Sequence, residues 1–266
     1  MREHVRNFPR VYQRNPERSG RRFPSPGTDD VGACSDVSHA LFSGLKEDPT
    51  LERRRKMTAD ADGKKIIRPT LHHYGLTTAN LETMSKWYAT VLGMSVVFET
   101  SNPLGKDAPI TVSAAWVTND DANHRTGLIA IQQLTKDAQR SSHVRLQHVA
   151  YEYHSLNQLL DTYVRLKEAD IKPLLSADHG ATTSMYYADP DGNSVELFVD
   201  NFGDWGKSGH FMRTSPEFAS MPMGTFVDPE KMVAARTAGV APGEIHRRAY
   251  AGELSPDQPV DPRVLM

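Results

Sequence analysis

Three positions in this chain combine residue types and spacing suited to metal chemistry: His73, His148 and Glu196. The two histidines occupy matching places in a repeated pattern, a short apolar strand followed by a helix start. His73 belongs to Leu71-His72-His73-Tyr74-Gly75-Leu76 and His148 to Leu146-Gln147-His148-Val149-Ala150-Tyr151, and each is followed at the same interval by a helix-capping residue, Asn80 or Ser155. Only the second copy ends in Asp189-Pro190-Asp191-Gly192-Asn193-Ser194-Val195-Glu196-Leu197-Phe198. A strand alternates its faces, so His72 and His73 point to opposite sides, and register with His148 selects His73. The Glu196 carboxylate, between Val195 and Leu197, is costly on the inner face of a curved sheet unless paired or bound to a cation. Two imidazoles and one carboxylate make a three-ligand site with open positions. That donor set suits non-haem Fe(II), with Mn, Zn or Ni as alternatives.

The elements that must position these groups are legible from periodicity. Leu71 to Thr78 reads as a strand, and Asn80 caps a helix whose Leu81, Met84, Trp87, Tyr88, Val91 and Leu92 share a face, with Gly93 as its stop. Met94 to Glu99, Ile110 to Thr118 and Thr126 to Leu134 read as three further strands, which makes the unit βαβββ. The second unit repeats the order. Leu146 to Tyr153 is a strand, and Ser155 opens a helix that buries Leu156, Leu159, Leu160, Tyr163 and Leu166. Ile171 to Leu174 is the next strand, and Ser184 to Ala188 with Ser194 to Val199 forms a hairpin across the Asp-Pro-Asp-Gly turn. The predicted fold class is α+β: two paired βαβββ modules, at residues 69–136 and 144–202 within a domain spanning 66–202, forming a half-closed curved sheet around the metal site. The tail at 203–266 carries one short helix, opened by Asp228-Pro229 and closed by Gly239, and packs over the pocket mouth or a subunit contact.

Residues 1–65 are rich in Arg, Pro, Ser, Gly and Asp without apolar periodicity and read as a disordered N-terminal extension. The basic run Arg53-Arg54-Arg55-Lys56 reads as a solvated tail, and Met57 after it as the natural start. A net charge of −2 and a pI near 6.6 give no general attraction to nucleic acid or an anionic membrane. No apolar run is long enough to span a bilayer. A single cysteine, Cys34, excludes an intrachain disulfide and a thiolate zinc site, and a cytoplasmic setting is expected. Exposed sheet edges make a homo-oligomer the expected assembly.

From about Leu71 to Phe202 the chain resembles the vicinal oxygen chelate superfamily, on the stretches around His73, His148 and 189–198. Within it the chain is most similar to the type I extradiol ring-cleaving dioxygenases, in a compact two-module form. His124, after Asn119-Asp120-Asp121-Ala122-Asn123, stands where those enzymes carry an active-site histidine; His179-Gly180 resembles their segment before the last hairpin; Tyr186 matches their pocket tyrosine. The resemblance implies an Fe(II)-dependent enzyme that cleaves a small aromatic diol with O2 to a ring-opened product. His124 would be the acid/base, while Tyr186 and His179 would hydrogen-bond the substrate oxygen. A glyoxalase-like or epimerase-like isomerase of the same superfamily is the alternative. The isomerase would need a fourth ligand, and the first-module position matching Glu196 falls near Ile131-Gln132-Gln133, where only Gln132 could serve. His143, His154, His210 and His246 have no supporting context and stay outside the predicted site.

Overall fold

The computed structural model describes residues 63–103, 111–131, 133–135 and 137–265. The N-terminal extension apart from 63–65, with its basic run and Met57, lies outside the described residues, as does Gln132.

The first module runs β1 (Tyr74–Thr78), α1 (Leu81–Leu92), β2 (Ser95–Pro103), β3 (Thr111–Thr118) and β4 (Thr126–Ile131). Its sheet has the order β1-β4-β3-β2, with β1 parallel to β4 and the other pairs antiparallel. The second module repeats this as β5 (His148–Tyr153), α2 (Leu156–Glu168), β6 (Leu175–Asp178), β7 (Thr182–Ala188) and β8 (Ser194–Asp200), in the order β5-β8-β7-β6. The α+β class and the duplicated βαβββ unit are as the periodicity predicts.

Both helices are capped by the residues that the sequence offers. Asn80 Oδ1 accepts from the Thr83 amide at 3.0 Å, and Gly93 closes α1 with φ +66°. Ser155 Oγ accepts from the Gln158 amide at 3.3 Å. Met84, Tyr88 and Val91 from α1 and Leu159, Leu160 and Leu166 from α2 are essentially inaccessible and share one continuous core. Each such side chain contributes about 1.5–3 kcal/mol by leaving water. Polar contacts bind the modules as well. The Arg165 guanidinium donates to the Thr90 and Val91 carbonyls at the end of α1, the Tyr88 hydroxyl to Asp189 Oδ2 at 3.4 Å, and the Tyr74 and Tyr151 hydroxyls pair.

Several boundaries differ from the sequence reading. β1 begins at Tyr74, so His72 and His73 precede the ladder and face alternation does not govern them. The strand predicted at Ile171 to Leu174 does not form there, because Pro173 has no amide to donate, and β6 follows it at Leu175–Asp178. The tail holds four helices, α3 (Trp205–Thr214), α4 (Pro216–Ser220), α5 (Pro229–Thr237) and α6 (Pro242–Tyr250), where one was predicted. The predicted helix is α5, and its companions carry their own start signals in Asp204, Ser215-Pro216 and Pro242. A short strand, β9 (Thr225–Phe226), extends the second sheet beyond β6. Met232, Ala235, Ile245 and Ala249 of α5 and α6 complete the core of the second module. No helix of the described residues is long and apolar enough to cross a membrane.

Candidate metal centre

The second sheet assembles four of the six predicted residues on one face. Ladder register puts His148 opposite Ser194, Ala150 opposite Glu196, and Glu196 opposite Tyr186. With a period of two, His148, Glu196 and Tyr186 therefore share a side, away from the core that holds Val195 and Leu197. His148 Nε2 lies 2.9 Å from Glu196 Oε2, and the Tyr186 hydroxyl 2.9 Å from Glu196 Oε1. His179 Nε2 stands 3.1 Å from the same hydroxyl.

Electrostatics follow from this packing. Burial pushes the Glu196 carboxyl up, but the hydrogen bonds and charge offered by His148 and the donation from Tyr186 carry it below its ordinary value. Hydrogen bonding to Glu196 raises His148 against the opposing effect of its own burial. Burial first, then the Glu196 charge, pushes the Tyr186 phenol far up, so it remains a proton donor. His148 Nδ1 pairs with the Gln147 side-chain oxygen, which fixes Nδ1 as the protonated nitrogen and points Nε2 at Glu196. A cation between Nε2 and the carboxylate would replace the shared proton with no change of tautomer, so the donor set fits a divalent metal.

A second layer holds His179. The Met223 carbonyl accepts from its Nδ1 at 2.8 Å, leaving Nε2 directed at Tyr186. The tail brings that carbonyl up to His179 because residue 224 is glycine: it adopts φ +67°, and an added Cβ would fall 1.9 Å from the Asp178 carbonyl oxygen. Asp178, fully buried, organises the turn that carries His179. It accepts from the Gly180 amide at 2.8 Å, the Thr183 hydroxyl at 3.0 Å and His246 Nδ1 at 2.7 Å. His246 was left outside the predicted site and proves to brace its second layer. No local signal marks it, since its partner is remote in sequence. Leu175, Ala177 and Tyr186 form a small apolar cluster with Phe226, Val260 and Leu265, so the tail walls the site.

His73 and His124 lie in a separate group. His73 is exposed, its Nδ1 is 3.0 Å from His72 Nδ1, and its ring centroid is 4.2 Å from that of His124. The expectation that His72 and His73 point apart is therefore corrected: both precede β1, and their rings meet. Partial burial, then the neighbouring His73 and His72 charges, lowers His124 below the ordinary imidazole value. The loop before His124 is shaped by Asp120, which accepts from the Ala122 amide and from Arg125 Nε at 2.8 Å. Among the described residues no three His, Cys, Asp or Glu side chains are grouped so that they could hold one metal ion. The structure joins His148 to Glu196 and leaves His73 beside His124.

The register corrects one further expectation. Gly75 pairs with Gly127 in the first module as Ala150 pairs with Glu196 in the second. The counterpart of Glu196 is thus Gly127 rather than a residue near Gln132, and a glycine offers no ligand.

The model of the Glyoxalase/Bleomycin resistance protein/Dioxygenase superfamily matches residues 70–197, which run from just before His73 to just past Glu196. Biphenyl-2,3-diol 1,2-dioxygenase 2 of Rhodococcus globerulus is 35% identical over 191 residues, 72% of this chain and 94% of the relative. The chain belongs to this superfamily. Biphenyl-2,3-diol 1,2-dioxygenase 3 of the same organism matches at 35% over 185 residues, 70% of this chain and 91% of that protein. The alignment with the first relative is longer than the span of the family model, so the likeness is not confined to the two modules.

Proposed function

We infer that this superfamily member is an Fe(II)-dependent extradiol dioxygenase that cleaves the ring of a catechol-type diol with O2. The observation that carries the reading is the hydrogen-bonded set His148, Glu196, Tyr186 and His179 on one sheet face, in a chain 35% identical to two biphenyl-diol dioxygenases.

His148 and Glu196 would hold the metal, with His73 as third ligand. His73 is exposed, lies outside the β1 ladder, and among the described residues its ring meets those of His72 and His124. Bound Fe(II) would supply adjacent positions where diol and O2 meet, and the electron path between them. The chain's own groups handle protons and orientation. Lowered below its ordinary value, His124 is neutral at pH 7 and suited to accept a proton from a diol hydroxyl. Tyr186 has one proton and two acceptors in reach, Glu196 Oε1 and His179 Nε2, because the Met223 carbonyl holds the His179 proton on Nδ1. With Glu196 engaged by a cation, His179 Nε2 would be the acceptor left for the Tyr186 proton. The phenol oxygen and its neighbours then present a fixed polar wall to the oxygen atoms of a bound diol. The isomerase alternative loses support, since Gly127 occupies the place of a fourth ligand.

Anaerobic loading of the full chain with Fe(II), followed by oxygen-electrode assays on biphenyl-2,3-diol and catechol, tests the reading. Oxygen uptake with a coloured ring-opened product, abolished by a chelator and by Glu196→Ala, is the expected result. Activation by Ni or Zn on a thiol adduct, with no oxygen uptake, would reverse it.

A further inference from the structure

Beside His148 lies a cavity of about 420 Å³ whose walls include Ser194, Arg140, Arg145 and Asn193, with Tyr88 and Val195 from the core side. His143 and Asp137 lie 2.7 Å apart, and the Asp137 charge is also felt by both arginines. Among the described residues neither arginine forms an ion pair. Arg140 donates to Asn193 Oδ1 at 2.8 Å and to the Asp191 carbonyl, and Arg145 donates only to the Leu265 carbonyl at 3.4 Å. Arg140 Nε, Arg145 Nη1 and Ser194 Oγ are buried donors without a partner, and the one unpartnered acceptor nearby, Asp191 Oδ2, reaches none of them within hydrogen-bond distance. A buried donor left unmade costs about 1–3 kcal/mol, more when charged.

The donors are also held in place. Asp189, almost fully buried, accepts from the Asp191 and Asn193 amides, from Asn193 Nδ2 at 2.8 Å and from the Tyr88 hydroxyl. Asn193, fixed by that carboxylate, presents Oδ1 to Arg140. The Asp-Pro-Asp-Gly-Asn turn is therefore a rigid mount for a guanidinium whose Nε stays unused. Ser194 is two residues before Glu196 on β8 and opposite His148, so its hydroxyl shares their face, about 7 Å along the strand. A diol presenting its oxygens at His148 and Glu196 would span that distance with its ring.

We propose that Arg140, Arg145 and Ser194 form an anion subsite that receives a carboxylate on the diol substrate, so that the preferred substrate is an acidic catechol. The inference rests on the dioxygenase reading for its substrate, but the subsite itself is testable without iron. Planar guanidinium groups and a hydroxyl are donors suited to a carboxylate's two oxygens, and such charge-assisted bonds are short and strong.

The test begins with the metal-free full chain, titrated calorimetrically with benzoate and with benzamide as a neutral match. Saturable binding of benzoate but not benzamide, weakened by added salt and at least tenfold by Arg145→Gln, is expected. Arg140→Gln and Ser194→Ala provide the same comparison if Arg145→Gln does not fold. Equal behaviour of benzoate and benzamide, or unchanged benzoate binding in every folded variant, overturns the subsite. In the iron-loaded chain the ratio of kcat/KM for a carboxylated catechol to that for catechol should exceed 1 and fall at least tenfold in Arg145→Gln. Benzoate binding with no preference for charged diols overturns the substrate assignment. A chain that cleaves no diol yet binds benzoate through these residues refutes the dioxygenase reading while the subsite stands; one that cleaves diols without binding benzoate does the reverse.

Discussion

Replacing Asp178 by alanine tests whether the site is built from behind. The carboxylate is fully buried and accepts from the Gly180 amide, the Thr183 hydroxyl, Asn201 Nδ2 and His246 Nδ1. Two of these donors have alternatives, because Thr183 Oγ1 also reaches Asn201 Oδ1 at 2.8 Å and Asn201 Nδ2 reaches the Gly180 carbonyl at 3.2 Å. The Gly180 amide and His246 Nδ1 lose their only hydrogen-bond partner among the described residues. At about 1–3 kcal/mol for each buried donor left unmade, the loss is about 2–6 kcal/mol. For a domain of this size that is a fall in Tm of about 5–20 °C. The turn carrying His179 loosens too, so kcat should fall by more than KM changes. Thermal unfolding followed by circular dichroism, beside oxygen-electrode kinetics on the iron-loaded chain, measures both. An Asp178→Ala protein that melts within 2 °C of the parent and turns over normally would refute this account of the second layer. Asp178→Asn, which keeps an acceptor for Gly180, should lose less stability.

Four further outcomes follow from the same geometry. Gly224→Ala puts a Cβ against the Asp178 carbonyl in a left-handed conformation and should cost about 2–4 kcal/mol, read as a shifted urea midpoint; an unchanged midpoint would mean that the tail does not press on this turn. Tyr186→Phe removes the hydroxyl shared by Glu196 and His179 and should lower kcat about 100-fold in steady-state assays while iron content stays normal; parental kcat would exclude the role. Glu196→Ala should weaken Fe(II) binding more than about 100-fold in an anaerobic titration, and unchanged affinity would remove Glu196 from the ligand set. In the metal-free protein the His148 imidazole should titrate above its ordinary 6.5 by NMR and return towards it in Glu196→Gln. The sign is determinate. The raised imidazole contributes stability that is complete below 6.5 and lost as pH rises through the raised value, whereas the depressed Glu196 contributes above 4.5 and loses it as pH falls. The pair is therefore most stabilising between those values, and parallel pH–stability curves for parent and Glu196→Gln would contradict it.

Much of this protein was legible in the linear order of residues, because the relevant signals are local. Helix faces repeat every three to four residues, caps such as Asn80 and Ser155 sit at fixed offsets, and a duplicated pattern displays itself as a repeat. From these came the α+β class and the two βαβββ modules, while the parallel pairing that brings His148 beside Glu196 came from the fold. Where local rules competed, the boundaries moved: Pro173 kept the predicted strand from forming at Ile171 to Leu174, and the first histidine pair fell just outside β1, so strand alternation had no hold on His72 and His73.

Tertiary structure alone decided what surrounds His148 and Glu196. Asp178 and His246, Met223 and His179, and Arg145 with Leu265 join residues whose separation no periodicity encodes, and His246 looks like any surface histidine until α6 packs against β6. The absence of a fourth ligand likewise needed ladder register, which shows Gly127 where counting along the chain suggests Gln132. Residue type and spacing determine which side chains are able to hold a metal or move a proton. Their tautomers, charges and unused donors are set by burial and by partners from distant segments, and those exist only once the chain has folded.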